Sequence, residues 1–465
     1  MGEIFGTDGI RDRAGHGFLA LPKVTQLARA TARILKNTPR SFEVSMSGAS
    51  RPWKFETNWD APGIGQVLIG RDTRASGPEI EKALADGFQS MGVSVGLLGV
   101  VTTPGVSLLT AMSKEARLGI VISASHNPAE DNGIKLVSPQ GFKIPDAAEA
   151  AIEKLLLAGP IAPRLKKSKP PLDVSRLLPN YLDFLAQFSR PLKGMKVVLD
   201  CGHGASSALA GPLFSRLGAR VTVLNAAPDG TNINAGCGAL HPETVVAAVK
   251  REKADIGIAF DGDADRAMLV DEKGAVRDGE TVLALCGLHY KEKKTLPKNT
   301  IVSTVMANFG LERHLAAHGI ALKRTRVGDR FVAEEMLKSG ASLGGEPSGH
   351  VLFFDASPAG DGMLTALRVL DVLAERGRKL SQAAFPKFPQ LLLNVRVAKM
   401  PPIEDVAALR KAIAAAGKEL GADGRILVRY SGTEPLCRVM VEGPREDVVK
   451  RLAARVADVV KKELS

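Results

Sequence analysis

Apolar and polar positions along the 465-residue chain repeat a strand-then-helix pattern. Val67-Leu-Ile-Gly70 and Leu118-Gly-Ile-Val-Ile122 are apolar runs of about one buried strand, and Val93–Leu98 reads as another. Between the first two strands, Pro78–Gly92 places Ile80, Ala83, Leu84, Phe88 and Met91 on one helical face, and a second helix follows Thr103-Pro104. Such alternation predicts a parallel sheet with helices on both faces. The proline- and lysine-rich stretch Ala158–Ser175 reads as a linker. The pattern then resumes with strands Lys196–Asp200, Arg220–Leu224 and Ile256–Phe260 and helices Ala205–Leu217 and Pro242–Lys253. A third round starts near Met268. Its strands are Thr300–Ser303 and Leu322–Thr325, and its helices Gly279–Leu288, Phe309–His318 and Asp361–Ala374. Past the proline break at Phe385–Pro389, strands Gln390–Val397, Arg425–Tyr430 and Cys437–Glu442 with helices Ile403–Leu420 and Arg445–Lys462 suggest a small α+β domain. The expected domains are therefore 1–157, 176–267, 268–380 and 388–465, with a polar, turn-rich insertion at about 37–66 that holds both tryptophans.

Composition narrows the function classes. Hydrophobic residues make up 45% and charged residues 24%, which suits a soluble globular chain. The formal charge of +12 could draw nucleic acid, an anionic membrane or small anionic substrates. The basic residues are dispersed, however, and the densest group, Arg164–Lys169, lies within the linker. With three tyrosines and two tryptophans, little is available to stack bases, so nucleic acid is not expected as a partner. No apolar run approaches a membrane span, so no membrane partner is expected either. Four separated cysteines without a C-x-x-C pair and an N-terminus lacking a signal core point to the cytoplasm. The sequence leaves a homodimer open.

Four loops carry candidate chemistry. Asp261-Gly-Asp-Ala-Asp-Arg266 follows a buried strand and sets three carboxylates at alternate positions, a donor set suited to Mg²⁺. An EF-hand fits less well, because Arg266 stands where that loop needs glycine at its sixth position. Gly344-Gly-Glu-Pro-Ser-Gly-His350 combines close-approach glycines with groups able to bind sugar hydroxyls or an amine and to move protons. Arg429-Tyr-Ser-Gly-Thr-Glu-Pro435, followed by Arg438, can form a phosphate nest between two strands. The fourth is Ser123–Lys135, SASHNPAEDNGIK. Ser125 and His126 are adjacent with side chains expected to diverge, and no G-x-S-x-G elbow is present, which argues against a serine hydrolase. A serine carrying a phosphoryl group fits better, with the acidic loop supplying the cation. Asp200-Cys-Gly-His-Gly204 imitates a dinucleotide turn, but Ser207 takes the third glycine position and Leu224-Asn225 lacks the ribose-binding acid.

Taken in order, these loops resemble the α-D-phosphohexomutase superfamily, and within it the chain is most similar to the bacterial phosphoglucosamine mutase family. The likeness also runs through Phe5–Arg11, Gly70–Gly77, Val327–Phe331 and Gly360-Asp-Gly362. It implies three similar mixed α/β domains and a smaller C-terminal α+β domain around a central cleft. It implies phosphorylation of Ser125, and Mg²⁺ held by the phosphoserine with Asp261, Asp263 and Asp265. Glu346 and Ser348 would read the sugar, while Arg429, Ser431, Gly432, Thr433 and Arg438 would grip the phosphate not being transferred. Arg11, His126, Lys135, Asp329 and His350 match positions lining the family's active site. The implied reaction interconverts glucosamine 6-phosphate and glucosamine 1-phosphate, with a glucosamine or glucose 1,6-bisphosphate as intermediate or activator. A phosphomannomutase or phosphoglucomutase on the same scaffold is the alternative. The chain departs from the family pattern at Ala264, where glycine is usual, and at Pro347 and Tyr430.

Overall fold

The strands Leu118–Ile122 and Ile256–Phe260 are buried at every residue, which is why they appear in the sequence as unbroken apolar runs. Around such strands the chain builds three sheets with parallel centres and an antiparallel sheet near its C-terminus. The structure, a computed structural model, describes residues 4–6, 8–38, 42–44, 63–165, 169–431 and 435–465.

The first sheet contains β1 (Ile10–Arg13), β2 (Val67–Arg71), β3 (Val95–Val100), β4 (Leu118–Ile122), β5 (Asp131–Val137) and β6 (Leu172–Asp173), in the order β1-β5-β4-β2-β3-β6. Its helices are α1 (Leu21–Asn37), α2 (Gly77–Ser90), α3 (Thr103–Met112) and α4 (Asp146–Leu157). Pairing among β4, β2, β3 and β6 is parallel, whereas β5 runs antiparallel to both β4 and β1. Every residue of α3 is buried. After α5 (Leu178–Ala186), the second sheet comprises β7 (Lys196–Asp200), β8 (Arg220–Leu224), β9 (Ile256–Phe260), β10 (Ala267–Asp271) and β11 (Val276–Arg277), with α6 (Ala210–Arg216) and α7 (Glu243–Glu252). Its order is β11-β10-β9-β7-β8, with β10 antiparallel to β9. The third contains β12 (Thr300–Thr304), β13 (Ala321–Thr325), β14 (Leu343–Gly345) and β15 (Val351–Phe353), with helices α8 (Gly279–Glu292), α10 (Asp329–Ser339) and α11 (Gly362–Arg376), while α9 (Phe309–Ala317) belongs to a separate compact unit. Here β14 pairs parallel with β12 and antiparallel with β15.

By packing, the chain divides into two compact units. One spans Met1–Val305 and Lys323–Ala384; the other spans Met306–Leu322 and Phe385–Ser465. The second unit carries the antiparallel sheet of β16 (Gln390–Arg396), β17 (Arg425–Tyr430) and β18 (Leu436–Glu442), ordered β16-β18-β17, with α12 (Ala407–Leu420) and α13 (Glu446–Leu464). Val449, Leu452, Val456 and Val460, spaced for one face of α13, are buried in that unit's core with Val439 and Val441 of β18.

The structure revises several sequence expectations. The second sheet runs past Met268 to Arg277, because β10 turns back along β9 instead of opening a third round. The expected linker is tied down, with Leu172–Asp173 pairing as β6 and Val174 fully buried. The helix expected from Ala205 starts at Ala210. Strand β5 was not expected, since its buried residues include Asn132 and Lys135. These polar side chains are buried because each has partners, Ser76 for Asn132 and three carboxylates for Lys135. Most of the 37–66 insertion lies outside the described residues; within it, Phe42 is buried and the Val44 amide donates to Gln140 Oε1 at 3.1 Å.

Candidate active site

Three chemistry-bearing loops occupy equivalent places in three sheets. Each joins an interior strand to an antiparallel neighbour: Ser123–Glu130 joins β4 to β5, Asp261–Arg266 joins β9 to β10, and Glu346–His350 joins β14 to β15. All three leave the carboxyl end of a buried strand, the place where open α/β sheets bind ligands. They belong to the first compact unit and meet there.

Ser125 is buried and adopts a left-handed backbone, φ 54°. Its amide donates to Ser123 Oγ at 2.9 Å, and Ser123 Oγ in turn donates to Asp72 Oδ2 at 2.6 Å. The fully buried Arg74 holds the loop from beneath. Its guanidinium donates to the carbonyls of Ser125 (3.1 Å), Asn127 (2.9 Å), Pro128 and Asp131 (2.9 Å), and pairs with Asp72 at 2.9 Å. Asn234 of the second sheet region adds donors to the Ser125 and Asn127 carbonyls. Ser125 Oγ donates to Asp261 Oδ2 at 2.8 Å and lies 3.2 Å from His126 Nδ1. The expected divergence of Ser125 and His126 is thus corrected, since the left-handed turn at Ser125 brings the ring back to the hydroxyl.

That pair is still not the start of a hydrolase triad. A triad needs a carboxylate that stabilises the charged ring. Burial, followed by the cations Arg266 and Arg11, instead pushes His126 down to about 4.

The acidic loop offers a cation site. Asp261, Asp263 and Asp265 are all buried, with one oxygen from each within 4.8 Å of the others. Asp263 Oδ1 and Asp265 Oδ1 are buried and accept no hydrogen bond. Buried acceptors without donors cost roughly 1–3 kcal/mol each, and a hard oxygen-seeking cation removes that cost, so the residues fit Mg²⁺. Burial and the neighbouring Asp265 and Asp263 raise Asp261 well above the usual carboxylate range. Burial would raise Asp265 as well, but His350, Lys135 and Arg266 outweigh it and hold Asp265 well below that range.

Lys135 Nζ lies 3.0 Å from Asp8 Oδ2, 3.1 Å from Asp263 Oδ2 and 3.7 Å from Asp265 Oδ2. Burial alone would discharge this amine; the carboxylates reverse that and raise it, so it is an ammonium and supplies charge rather than a base. Arg11 pairs with Asp8 at 2.7 Å. His350 Nδ1 lies 3.6 Å from Asp265 Oδ2, and its Nε2 lies 4.0 Å from Asp329 Oδ2. Burial opposes charge on this ring, but Asp265, Asp329 and Glu346 raise it to about 9. Gly360 makes room for the ring, since a Cβ there would sit 2.4 Å from His350 Nε2.

Arg11, His126, Asp265, Asp329, Glu346 and His350 line one cavity of about 520 Å³. Glu346 Oε1 accepts from the Gly328 amide at 3.0 Å, which aims the carboxylate. Ser348 stands exposed at the tip of its loop, apart from the residues lining this cavity.

In the second unit, Arg429 and Arg438 face each other across the β17–β18 pair, and Arg438 Nη2 donates to Ser431 Oγ at 3.3 Å. Burial and then Arg438 lower Arg429. Like charges placed opposite on neighbouring strands destabilise a hairpin unless an anion lies between them. Gly432 and Thr433 lie outside the described residues.

The sequence reading missed Asp8, Arg74 and Asp72 as contributors. Their signal was present in the charged pairs of Phe5–Arg11 and Gly70–Gly77, of which Asp72 and Arg74 are buried and Asp8 only partly so. The imitation dinucleotide turn also has a use. A Cβ at Gly204 would sit 2.3 Å from the Gly262 carbonyl, and the Ala205 amide donates to that oxygen at 2.8 Å, so the turn supports the acidic loop.

Comparison with known proteins agrees with this layout. Family models described as phosphoglucomutase/phosphomannomutase alpha/beta/alpha domains I, II and III match residues 56–160, 179–274 and 278–389, and the C-terminal domain model matches 392–459. The boundary between the second and third falls beside the end of β11. A phosphoglucosamine mutase from Symbiobacterium thermophilum is 45% identical over 100% of both chains. Among solved structures, a phosphoglucomutase/phosphomannomutase family protein from Burkholderia thailandensis is 25% identical with a TM-score of 0.79, covering 99% of this chain and 97% of that one. An Aspergillus fumigatus N-acetylphosphoglucosamine mutase, solved with GlcNAc-6P and magnesium, shares the fold at 18% identity and a TM-score of 0.66, covering 99% of this chain and 96% of that one.

Proposed function

The chain belongs to the phosphoglucosamine mutase family of phosphohexomutases, and from that premise we propose that it interconverts glucosamine 6-phosphate and glucosamine 1-phosphate. The reading rests chiefly on one observation: the Ser125 hydroxyl is hydrogen-bonded to a buried, incompletely partnered aspartate triad at the edge of a sugar-sized cavity. Ser125 carries the phosphoryl group. During transfer the bond from phosphorus to Ser125 Oγ breaks and one to a sugar hydroxyl forms, giving a 1,6-bisphosphate; the opposite phosphate then returns to the serine. Asp261, Asp263, Asp265 and the phosphoserine would hold Mg²⁺, which would supply charge neutralisation to the transferring group.

The chain's own groups divide the remaining work. Lys135 and Arg11 add fixed positive charge beside the triad. His126 is unprotonated near neutral pH and can accept a proton, whereas His350 is protonated and donates. Asp329 supports the charge on His350. Glu346 reads the sugar from the cavity wall and Ser348 from the loop tip. Arg429, Ser431, Gly432, Thr433 and Arg438 grip the phosphate that is not being transferred. The product is an amino-sugar phosphate of the kind from which cell-wall nucleotide sugars are made. Among the described residues no helix is long and apolar enough to cross a membrane.

Turnover measured side by side on glucosamine, glucose and mannose 1-phosphates tests the substrate. Glucosamine 1-phosphate is expected to be fastest; equal or faster turnover of either other sugar would replace this reading with the hydroxyl-sugar mutases. Intact-mass measurement is expected to show a fraction of wild type heavier by one phosphate and none in Ser125→Ala, together with loss of mutase activity. Activity undiminished in Ser125→Ala would overturn the phosphoserine.

A further inference from the structure

Asp263 is gripped from outside its own sheet. Thr103, the first residue of α3, donates its backbone N–H to the Asp263 carbonyl at 3.0 Å and its hydroxyl to Asp263 Oδ2 at 2.6 Å. Lys135 Nζ approaches the same Oδ2 at 3.1 Å. Two donors on one oxygen restrict both side-chain torsions of the aspartate. They leave Oδ1 buried and accepting no hydrogen bond, the oxygen of Asp263 still available to a cation. Neighbouring Thr102 explains why the Thr103 hydroxyl is available. Thr102 caps α3, its Oγ1 accepting from the Gly105 amide at 3.1 Å, so the helix does not need Thr103 for that purpose.

A second arm reaches the next residue of the loop. Thr102 Oγ1 donates to the Tyr181 hydroxyl at 3.1 Å, which donates to Asp361 Oδ2 at 2.6 Å. Asp361 caps α11 by accepting from the Leu364 amide at 3.0 Å, and Gly362, the first residue of that helix, donates its amide to the Ala264 carbonyl at 3.0 Å. Consecutive carbonyls of the acidic loop are thus held by the first amides of two helices from different sheets. A single buried tyrosine links the caps of those helices.

We infer that Thr103 is a positioning residue for the cation, its hydroxyl orienting the Asp263 carboxylate so that one oxygen stays free for the metal. This rests on the metal reading of the triad. Hydrogen-bond partners of ligating carboxylates are worth about 10–100-fold in metal affinity. A purely structural contact would change thermal stability and leave affinity alone.

The test measures Mn²⁺ binding by electron paramagnetic resonance, with Mg²⁺ as competitor, on unphosphorylated full-length protein. Wild type, Thr103→Val, Thr103→Ser and Asp263→Ala are compared, and melting without metal is recorded in parallel. Thr103→Val, which keeps the shape and loses the hydroxyl, is expected to bind at least about tenfold more weakly. Thr103→Ser is expected to stay within about twofold of wild type on the same reasoning. If Thr103→Val does not fold, the smaller Thr103→Ala is judged by the same criterion. Binding by the hydroxyl-free variant as tight as wild type overturns the role of Thr103. Equal binding by wild type and Asp263→Ala overturns the metal reading itself, a distinguishable result.

Discussion

Ser125 and Ala264 both adopt left-handed backbones, φ 54° and 55°, in loops that leave fully buried strands and return antiparallel. The two loops are built around opposite charges, a guanidinium in one and carboxylates in the other. Beneath Ser125, one buried cation, Arg74, gathers four carbonyls and a carboxylate, so that loop is satisfied by the protein alone. Around Ala264, three carboxylates crowd together, and Lys135 and Arg266 leave two of their oxygens without hydrogen bonds. The serine loop is therefore a finished platform, whereas the acidic loop keeps two buried oxygens that a cation would satisfy. The histidines follow the same division. His126, half-buried and facing Arg266 and Arg11, is pushed down to about 4, while His350, facing Asp265, is raised to about 9 despite its burial.

The largest effect is expected beneath the serine. Arg74→Met leaves Asp72 as an unpaired buried charge and removes four carbonyl partners. A loss of about 3–5 kcal/mol in denaturant unfolding is expected. A loss below about 1 kcal/mol would mean that the serine loop is not built on that cation.

The histidines come next. A histidine raised from 6.5 to about 9 contributes roughly 3 kcal/mol, fully present below pH 6.5 and lost as the pH climbs through 9. One lowered to about 4 acts in the other direction, costing stability as the pH falls from 6.5 toward 4. Metal-free protein should thus be most stable near pH 6.5 with respect to these two groups. His350→Gln is expected to flatten the alkaline side of the stability profile, and His126→Gln the acidic side. If the two substitutions flatten the same side, the electrostatic contrast is wrong.

The smallest effect is expected at Ala264. A left-handed non-glycine residue costs about 1–2 kcal/mol, so Ala264→Gly should raise stability by about 1 kcal/mol in thermal melts. A decrease would show that its buried methyl group packs well enough to offset the strain.

Much of this was legible in the residues. Asp261, Asp263 and Asp265 were recognisable because three acids at alternate positions, directly after an apolar strand, repel one another unless a cation joins them. Ser125 was recognisable because its loop stood in the right order with them. Lys135 was harder to place. Its strand starts Asp131-Asn-Gly, so the apolar pattern does not reveal it, and only its partners explain how an ammonium can be buried there. Arg74 was similarly hidden, because a charged residue ordinarily signals surface. The third round was started too early, near Met268, because a strand's partner is a long-range choice that local pattern does not encode, and β10 pairs back on β9.

The sequence by itself determined the repeated α/β plan, the ordered loops and the types of chemical group each loop carries, because those depend on periodicity and residue identity. Only the tertiary structure decided which nitrogen or oxygen faces which. It turned His126 back onto Ser125, kept Lys135 charged, drove two histidines in opposite directions and freed one oxygen of Asp263 by engaging the other. Protonation state and ligand orientation follow from burial and from close charges, and the Lys135 ion pairs, at 3.0 to 3.7 Å, join residues more than a hundred positions apart.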